Sequence, residues 1–365
     1  MLKKIRNAAL AVGLSVATGA AQSAPSEPNI VWYNARELTI EGRGWTDTES
    51  VYDRLPARAK QIVNEQVWGL SHNSAGLLVR FVSDATQIHA RWKLTSADLA
   101  MNHMPATGVS GVDLYVRLKG KWEWLAVGRP TGQNNETLLT PNIDKGTYEY
   151  TLYFPLYNGV TSVEVGVPSG SFVKPAPPRK NDIKPVVFYG TSITQGGCAS
   201  RPGMAYTAIV GRKLDIPVIN LGFSGSGRGE PEIFDLIAEL DASLFVIDPM
   251  ANMRGDWVEE RIGYALKTIK AKRPGVPVML VEHAVVADAF RRSKGPKMAD
   301  TWNVPLRKVY EDNVRDWDGL LYYVKCDKLT GKDGEHTVDG VHCTDVGFLR
   351  MADVLTPAVK KALEK

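Results

Sequence analysis

A serine hydroxyl is a weak nucleophile until a base takes its proton, and acyl chemistry also needs donors that hold an oxyanion. Four stretches of this chain carry such groups. Ser192 lies in Gly190-Thr-Ser-Ile-Thr-Gln-Gly-Gly-Cys198, directly after the apolar run Val186–Tyr189. His342 lies in Asp339-Gly-Val-His342, where Asp339 is placed to hold the imidazole in one tautomer and to stabilise its charged form. Gly222-Phe-Ser-Gly225-Ser-Gly227 and Asp248-Pro-Met-Ala-Asn252 each follow another short apolar run. The backbone N–H of Ser192, the N–H of Gly225 and the side-chain amide of Asn252 make a three-donor set for a tetrahedral intermediate. Each stretch alone also has a plain structural reading. Thr191 and Ser192 suit a helix cap, Asp339-x-x-His342 can cap the last helix, the glycines suit close packing, and Asn252 suits a turn. His336 is a rival base nearby. The joint pattern favours chemistry: four motifs, each after a different apolar run, in an order compatible with one site.

These motifs need elements to position them. From residue 29 to 168 the chain reads as short β-strands bounded by turn residues: Gly76–Val82, Gln87–Leu94, Val112–Leu118, Trp122–Gly128, Gly146–Phe154 and Val160–Val167. Lys119-Gly120-Lys121 is a hairpin loop between two of them. This spacing predicts an all-β sandwich or jelly roll. Residues 169–184 are Pro-rich and read as a semi-rigid linker. Residues 185–365 then alternate strand and helix. The strands are Val186–Tyr189, Val218–Leu221, Leu244–Ile247, Val276–Val281 and Leu320–Val324. The helices are Met204–Leu214, Glu230–Leu240, Trp257–Ala271, Met298–Val314 (interrupted near Pro305) and Asp345–Leu363. That rhythm predicts an α/β doubly wound fold with five parallel strands, whose β-to-α turns gather at one sheet edge.

The first residues do not belong to this fold. Lys3, Lys4 and Arg6 precede an uncharged Ala-rich run to Ala21, with small residues after it. This is the pattern of an export signal over residues 1–23, and it predicts a periplasmic or extracellular protein. The rival reading, a membrane anchor, needs a longer run, and no later run is long enough to span a bilayer. Loss of the three basic residues takes the formal charge from +4 to roughly +1, which excludes the electrostatic footprint of a nucleic-acid binder. Three cysteines, Cys198, Cys326 and Cys343, show no Cys-x-x-Cys spacing, so no metal framework is expected. Export permits a disulfide, and Cys343 has both Cys198 and Cys326 as possible partners.

The second half resembles the SGNH (GDSL-like) hydrolases, named for Ser, Gly, Asn and His in four blocks. Here these are Ser192 in Gly190-Thr-Ser-Ile193, Gly225 in Asn220-Leu-Gly-Phe-Ser-Gly225, Asn252, and His342 in Asp339-Gly-Val-His342. The resemblance implies a flavodoxin-like sheet and an esterase mechanism. Two departures bear on substrate class: Gly-Thr-Ser stands for the usual Gly-Asp-Ser, and Met250-Ala-Asn-Met253 for the usual Gly-x-Asn-Asp. Gly111-Val-Asp-Leu-Tyr115 is similar to the Gly-x-Asp-Leu-Tyr signature of a β domain found ahead of certain members.

The expectation is therefore a serine esterase acting on short acyl groups, acetyl on carbohydrate above all, without metal or organic cofactor. Ser192 is the nucleophile, His342 the base and Asp339 its partner, and Ser192, Gly225 and Asn252 form the oxyanion hole. His103 and Met104, from the loop Met101–Gly108, are expected to reach the cleft from the first domain. Gln195 and Arg201 are expected along its wall. A lipase lid is not visible; phospholipid and thioester substrates stay open. Two other readings exist. Gly225-Ser-Gly227-Arg-Gly229 lacks the full spacing of a dinucleotide turn. Six of the nine tryptophans lie in the first half, with Trp122 and Trp124 on one strand face, as a non-catalytic carbohydrate-binding protein would use them.

Overall fold

The computed structural model describes residues 29–179, 183–284, 295–331 and 333–364. The export signal read over residues 1–23 and part of the linker lie outside them. Strands of the first half are β1 (Ile30–Asn34), β2 (Thr39–Glu41), β3 (Leu78–Ser83), β4 (Ile88–Leu94), β5 (Val112–Leu118), β6 (Lys121–Gly128), β7 (Asn134–Thr140), β8 (Tyr148–Tyr153), β9 (Val160–Pro168) and β10 (Val173–Pro175). Helices α1 (Glu65–Ser71) and α2 (Ala106–Val109) interrupt them. One antiparallel sheet runs β1-β9-β4-β7; the other runs β10-β3-β8-β5-β6, with β2 also on β3. Alternate residues point inward, as strand geometry requires. Ala90, Trp92 and Leu94 with Val163, Val165 and Val167 pack on Val79, Phe81, Leu114 and Leu152 to form a sandwich core. The hairpin turn is Lys119-Gly120 alone. Both residues have positive φ, +49° and +81°, as a two-residue type I′ turn demands, and Leu118 pairs with Lys121.

The second half forms β11 (Val186–Gly190), β12 (Val218–Gly222), β13 (Leu244–Asp248), β14 (Val278–Val281) and β15 (Leu321–Val324). All pair in parallel, in the order β12-β11-β13-β14-β15. This is the flavodoxin-like order, and β11 lies at the point where it reverses, where such sheets open a crevice. The helices are α3 (Ser192–Gln195), α4 (Tyr206–Leu214), α5 (Pro231–Ile237), α6 (Val258–Lys272), α7 (Gly295–Asn313) and α8 (Asp345–Leu363). In α8, Phe348, Met351, Ala352, Leu355, Val359 and Ala362 recur at helical spacing and are all buried. Helix α7 runs through Pro305 rather than breaking there; Leu306 and Val309 just beyond are anchored in the core, which offsets the lost N–H.

The halves are not beads on a spacer. Residues between β2 and β3 leave the sandwich: Trp45, Leu55, Ala59 and Val67 join the core of the parallel sheet. Arg54 is fully buried there and spends its donors on backbone carbonyls. Its guanidinium donates to the carbonyls of Leu70 (2.7 Å), Asn73 (2.8 Å), Asn220 (3.2 Å) and Gly222 (2.6 Å), and lies over Phe223. Burial pulls its pKa down to about 9, so it stays charged at neutral pH. The linker is also sewn down. Val173–Pro175 pairs with β3, and Arg179 bridges Glu41 (2.8 Å) and Asp215 (2.8 Å).

The structure explains Gly111-Val-Asp-Leu-Tyr115. Strand β5 is buried on both faces. Val112, Leu114 and Val116 enter the sandwich core, while Asp113 and Tyr115 face the parallel-sheet domain. Asp113 accepts from Arg201 Nη1 (2.8 Å), the Gly203 N–H (2.8 Å) and Trp124 Nε1 (2.9 Å), and Arg201 also donates to the Tyr115 hydroxyl (2.5 Å). At Gly111 a Cβ would collide with the Thr107 and Gly128 carbonyls. Trp122 donates to Asp215, so the aromatic face of β6 is turned to the neighbouring domain. Asp113→Ala leaves Arg201 without its buried partner. It is expected to lower unfolding stability by about 3 kcal/mol, read as a lower urea midpoint at unchanged slope. A change within about 0.5 kcal/mol, as for an ordinary surface substitution, would show that the clasp is dispensable.

Candidate active site

Strand β11 ends at Gly190, and Thr191 opens α3 by accepting from the Ile193 N–H (3.2 Å). Thr191 is thus the cap, and Ser192 is the first helical residue. Its hydroxyl oxygen lies 2.9 Å from His342 Nε2. His342 Nδ1 lies 2.7 Å from Asp339 Oδ2. With the Nδ1 proton donated to that carboxylate, the Nε2 lone pair faces the Ser192 hydroxyl. Asp339 Oδ1 also accepts from the backbone N–H of Val341 (3.0 Å) and His342 (2.8 Å). Burial works to raise the Asp339 carboxyl, but the His342 side chain and these N–H groups outweigh it and hold the pKa down to about 2. Asp339 does not cap the last helix; Thr344 does, accepting from Gly347 (3.2 Å).

The turns after β12 and β13 are locked to that of Ser192. The Phe223 N–H donates to the Gly190 carbonyl (3.0 Å), and the Ser224 N–H to Gln195 Oε1 (3.0 Å). Asn252 Nδ2 approaches the Phe223 carbonyl at 3.4 Å. Gly225 is exposed at the tip of its turn with a φ of +67°. Gly227 sits against the Gly190 carbonyl, where a Cβ would collide. Gly227 therefore lets the two turns approach each other, a packing role that needs no dinucleotide.

The first domain reaches this edge. The His103 ring lies 5.4 Å from that of His342, centroid to centroid, and its Nδ1 is 2.9 Å from Asn102 Oδ1. Met104 does not line the cleft. It is buried below it, and its sulfur accepts from the Cys198 N–H (3.3 Å). Gln195 is likewise no wall residue. It is fully buried, donating to Asn73 Oδ1 (3.1 Å) and the Leu156 carbonyl (3.0 Å) while accepting from Ser224. Arg201 is held in the Asp113–Tyr115 clasp rather than at the cleft. Each of the three is a long polar or sulfur side chain near Ser192 in sequence or expected beside it. Burial removes Gln195 and Met104 from the surface, while the half-buried Arg201 is tied down by its clasp.

Several neighbours of the site carried no mark in the sequence. The Tyr157 hydroxyl, from the loop between β8 and β9, donates to the Ser192 carbonyl (3.2 Å), and burial raises its pKa. Behind Thr191 lies a cavity of about 20 Å³ that touches Asp248, His283 and His336. Burial pushes Asp248 up to about 7 against the Tyr206 hydroxyl (3.0 Å). His336, the rival base, is buried with neither ring nitrogen hydrogen-bonded among the described residues, and it is His342 that meets Ser192. Cys198, Cys326 and Cys343 are all free thiols. Burial pushes each up to about 12, with carboxylates adding to the effect.

The geometry agrees with what the chain resembles. The GDSL-like lipase/acylhydrolase family model matches residues 183–360. The GxDLY model, the N-terminus of SGNH-hydrolase-type esterases, matches residues 30–173. None of the curated proteins compared matches the sequence. Among solved structures, a protein described as a GDSL-like lipase from Bacteroides ovatus ATCC 8483 is 31% identical, with a TM-score of 0.86 over 92% of this chain and 98% of that one. A salicylyl-acyltransferase from a tetracycline biosynthetic pathway shares the fold at 15% identity, with a TM-score of 0.72 over 92% and 97%. So does an acetyl xylan esterase from the rumen bacterium Butyrivibrio proteoclasticus, at 12% identity and a TM-score of 0.54 over 92% and 99%. With both of its halves matched and this identity over nearly the whole length of a relative, the chain belongs to the GDSL-like lipase/acylhydrolase family and is an ester hydrolase carrying a GxDLY-type domain ahead of its catalytic half.

Proposed function

We propose that this chain is an exported serine esterase that removes acetyl groups from carbohydrate. The observation that carries the reading is the linear array of Ser192 Oγ, His342 and Asp339, with contacts of 2.9 and 2.7 Å. Ser192 attacks the ester carbonyl while His342 Nε2 takes the hydroxyl proton. The N–H groups of Ser192 and Gly225 and the Asn252 amide hold the oxyanion. On collapse, His342 returns the proton to the departing sugar oxygen, leaving an acetyl group on Ser192. Water then attacks, His342 takes its proton, and a second collapse frees acetate and restores the serine. Asp339 keeps Nδ1–H in place throughout and stabilises the imidazolium. Support for acetyl on carbohydrate comes from the shared fold of the acetyl xylan esterase. Support for export is the basic and then Ala-rich segment at the start of the sequence.

Two measurements test this. The first is a panel of p-nitrophenyl esters of rising chain length together with acetylated xylo- and cello-oligosaccharides. Acetyl esters are expected to turn over fastest, and kcat to fall on the order of 10⁶-fold in Ser192→Ala and 10⁴-fold in Asp339→Asn. Turnover retained by Ser192→Ala would defeat the mechanism, and retained sugar binding with no turnover in wild type would favour the binding-protein reading. The second is the pH profile. Asp339, held down to about 2, is ionised throughout the working range, so it adds no second ionisation to the acid limb. The acid limb of kcat/KM is expected to rise with the slope of a single proton; a two-proton slope would mean that a second group must also ionise.

A further inference from the structure

The cleft beside the Ser192–His342 pair holds a second group of donors. Among the described residues, His103, Cys198 and His342 each offer a ligand atom, and the three atoms lie within 4.8 Å of one another. They come from three separate places in the chain: the first-domain loop before α2, the turn after α3, and the loop before α8. We propose that these three side chains form an inhibitory site for a zinc-class cation at the mouth of the catalytic cleft. The functional consequence, inhibition, rests on the esterase reading above; the binding itself does not.

The geometry prepares both histidines for this. Metal-ligating imidazoles characteristically engage one ring nitrogen with an oxygen, which fixes the tautomer and aims the other nitrogen at the ion. His342 Nδ1 is held by Asp339 (2.7 Å), and His103 Nδ1 by Asn102 Oδ1 (2.9 Å). The Nε2 atoms are thereby left with their lone pairs. The Cys198 backbone is itself fixed, since its N–H donates to the Met104 sulfur (3.3 Å) and its φ is +72°. Two imidazoles and a thiolate suit a borderline-soft d¹⁰ cation, and three protein ligands leave a fourth tetrahedral position for water. Binding releases the Cys198 proton to solvent and fills the Nε2 lone pair that otherwise accepts the Ser192 proton. The base is then lost while the fold is unchanged. This gives the first-domain loop a role in the site: His103 supplies a ligand that the catalytic half lacks.

Two readouts separate binding from inhibition. Cobalt(II) is titrated into the full chain, and the thiolate-to-cobalt charge-transfer absorption is followed. The band is expected in wild type, in Cys326→Ser and in Cys343→Ser, and to vanish in Cys198→Ser. Zinc(II) inhibition of p-nitrophenyl acetate turnover is then measured, each variant against its own metal-free rate. The inhibitory concentration is expected to rise about tenfold or more in Cys198→Ser and in His103→Ala. Absence of the band in wild type, or its survival in Cys198→Ser, would overturn the site. Zinc inhibition that is equally strong in both variants would overturn the link to catalysis. Were the chain to show no esterase activity at all, the cobalt band would still decide whether the site exists.

Discussion

The acyl chemistry proposed for this molecule depends on one contact between residues 150 positions apart, the hydrogen bond of Ser192 Oγ with His342 Nε2. Ser192 is placed by the end of strand β11, but nothing local places His342. Its loop is largely exposed, and is shaped by Asp339 accepting from its own downstream N–H groups. That loop is delivered to the serine by α8, whose row from Phe348 to Ala362 is buried against the sheet and α4. Apolar packing of a whole helix thus positions one imidazole. The geometry of this contact inherits its precision from close packing, which tolerates little displacement.

The second constraint is the satisfaction of backbone carbonyls at the sheet edge. Strand ends and the turns after them leave acceptors that cannot be buried unpaired. Arg54 answers this by donating to Asn220 and Gly222 at the end of β12 and, in the same guanidinium, to Leu70 and Asn73. Gln195 does the same on the other side, joining Leu156 of the sandwich to Ser224 beside the Gly225 turn. The GxDLY-type domain therefore acts as the back wall of the site. Its Asp113 and Tyr115 hold Arg201, and its Tyr157 grips the Ser192 carbonyl. This explains why an all-β domain precedes a parallel-sheet hydrolase in one continuous structure. It completes hydrogen bonding that the five-stranded sheet leaves open.

Much of this was legible in the sequence because local periodicity carries it. The five parallel strands and the helices between them follow from apolar runs that begin and end in Gly, Pro and capping residues. Six strands of the sandwich follow from alternation. Those that escaped, β1, β2, β7 and β10, are short or half-exposed; β7 reads Asn-Asn-Glu-Thr-Leu-Leu-Thr and shows no clean apolar face. The contact of Ser192, His342 and Asp339 was legible because acyl chemistry restricts the residue types and because the stretches follow strands.

What the sequence by itself determined is therefore the list of elements and the side chains competent for acyl transfer. Tertiary structure alone decided which polar side chains face the cleft and which lie beneath it. Gln195, Arg201 and Met104 carry the same kinds of groups as a substrate wall, yet burial of the first and last and the Asp113 clasp on Arg201 turned them into supports. Conversely, Arg54 and Tyr157 carry no motif, and His103 no more than a place in a polar loop, yet they meet the site from a different domain. The physical reason is that hydrogen-bond partners across a domain interface are set by which carbonyls and carboxylates are left unpaired there. That is a property of the packed surfaces and leaves no period in the chain.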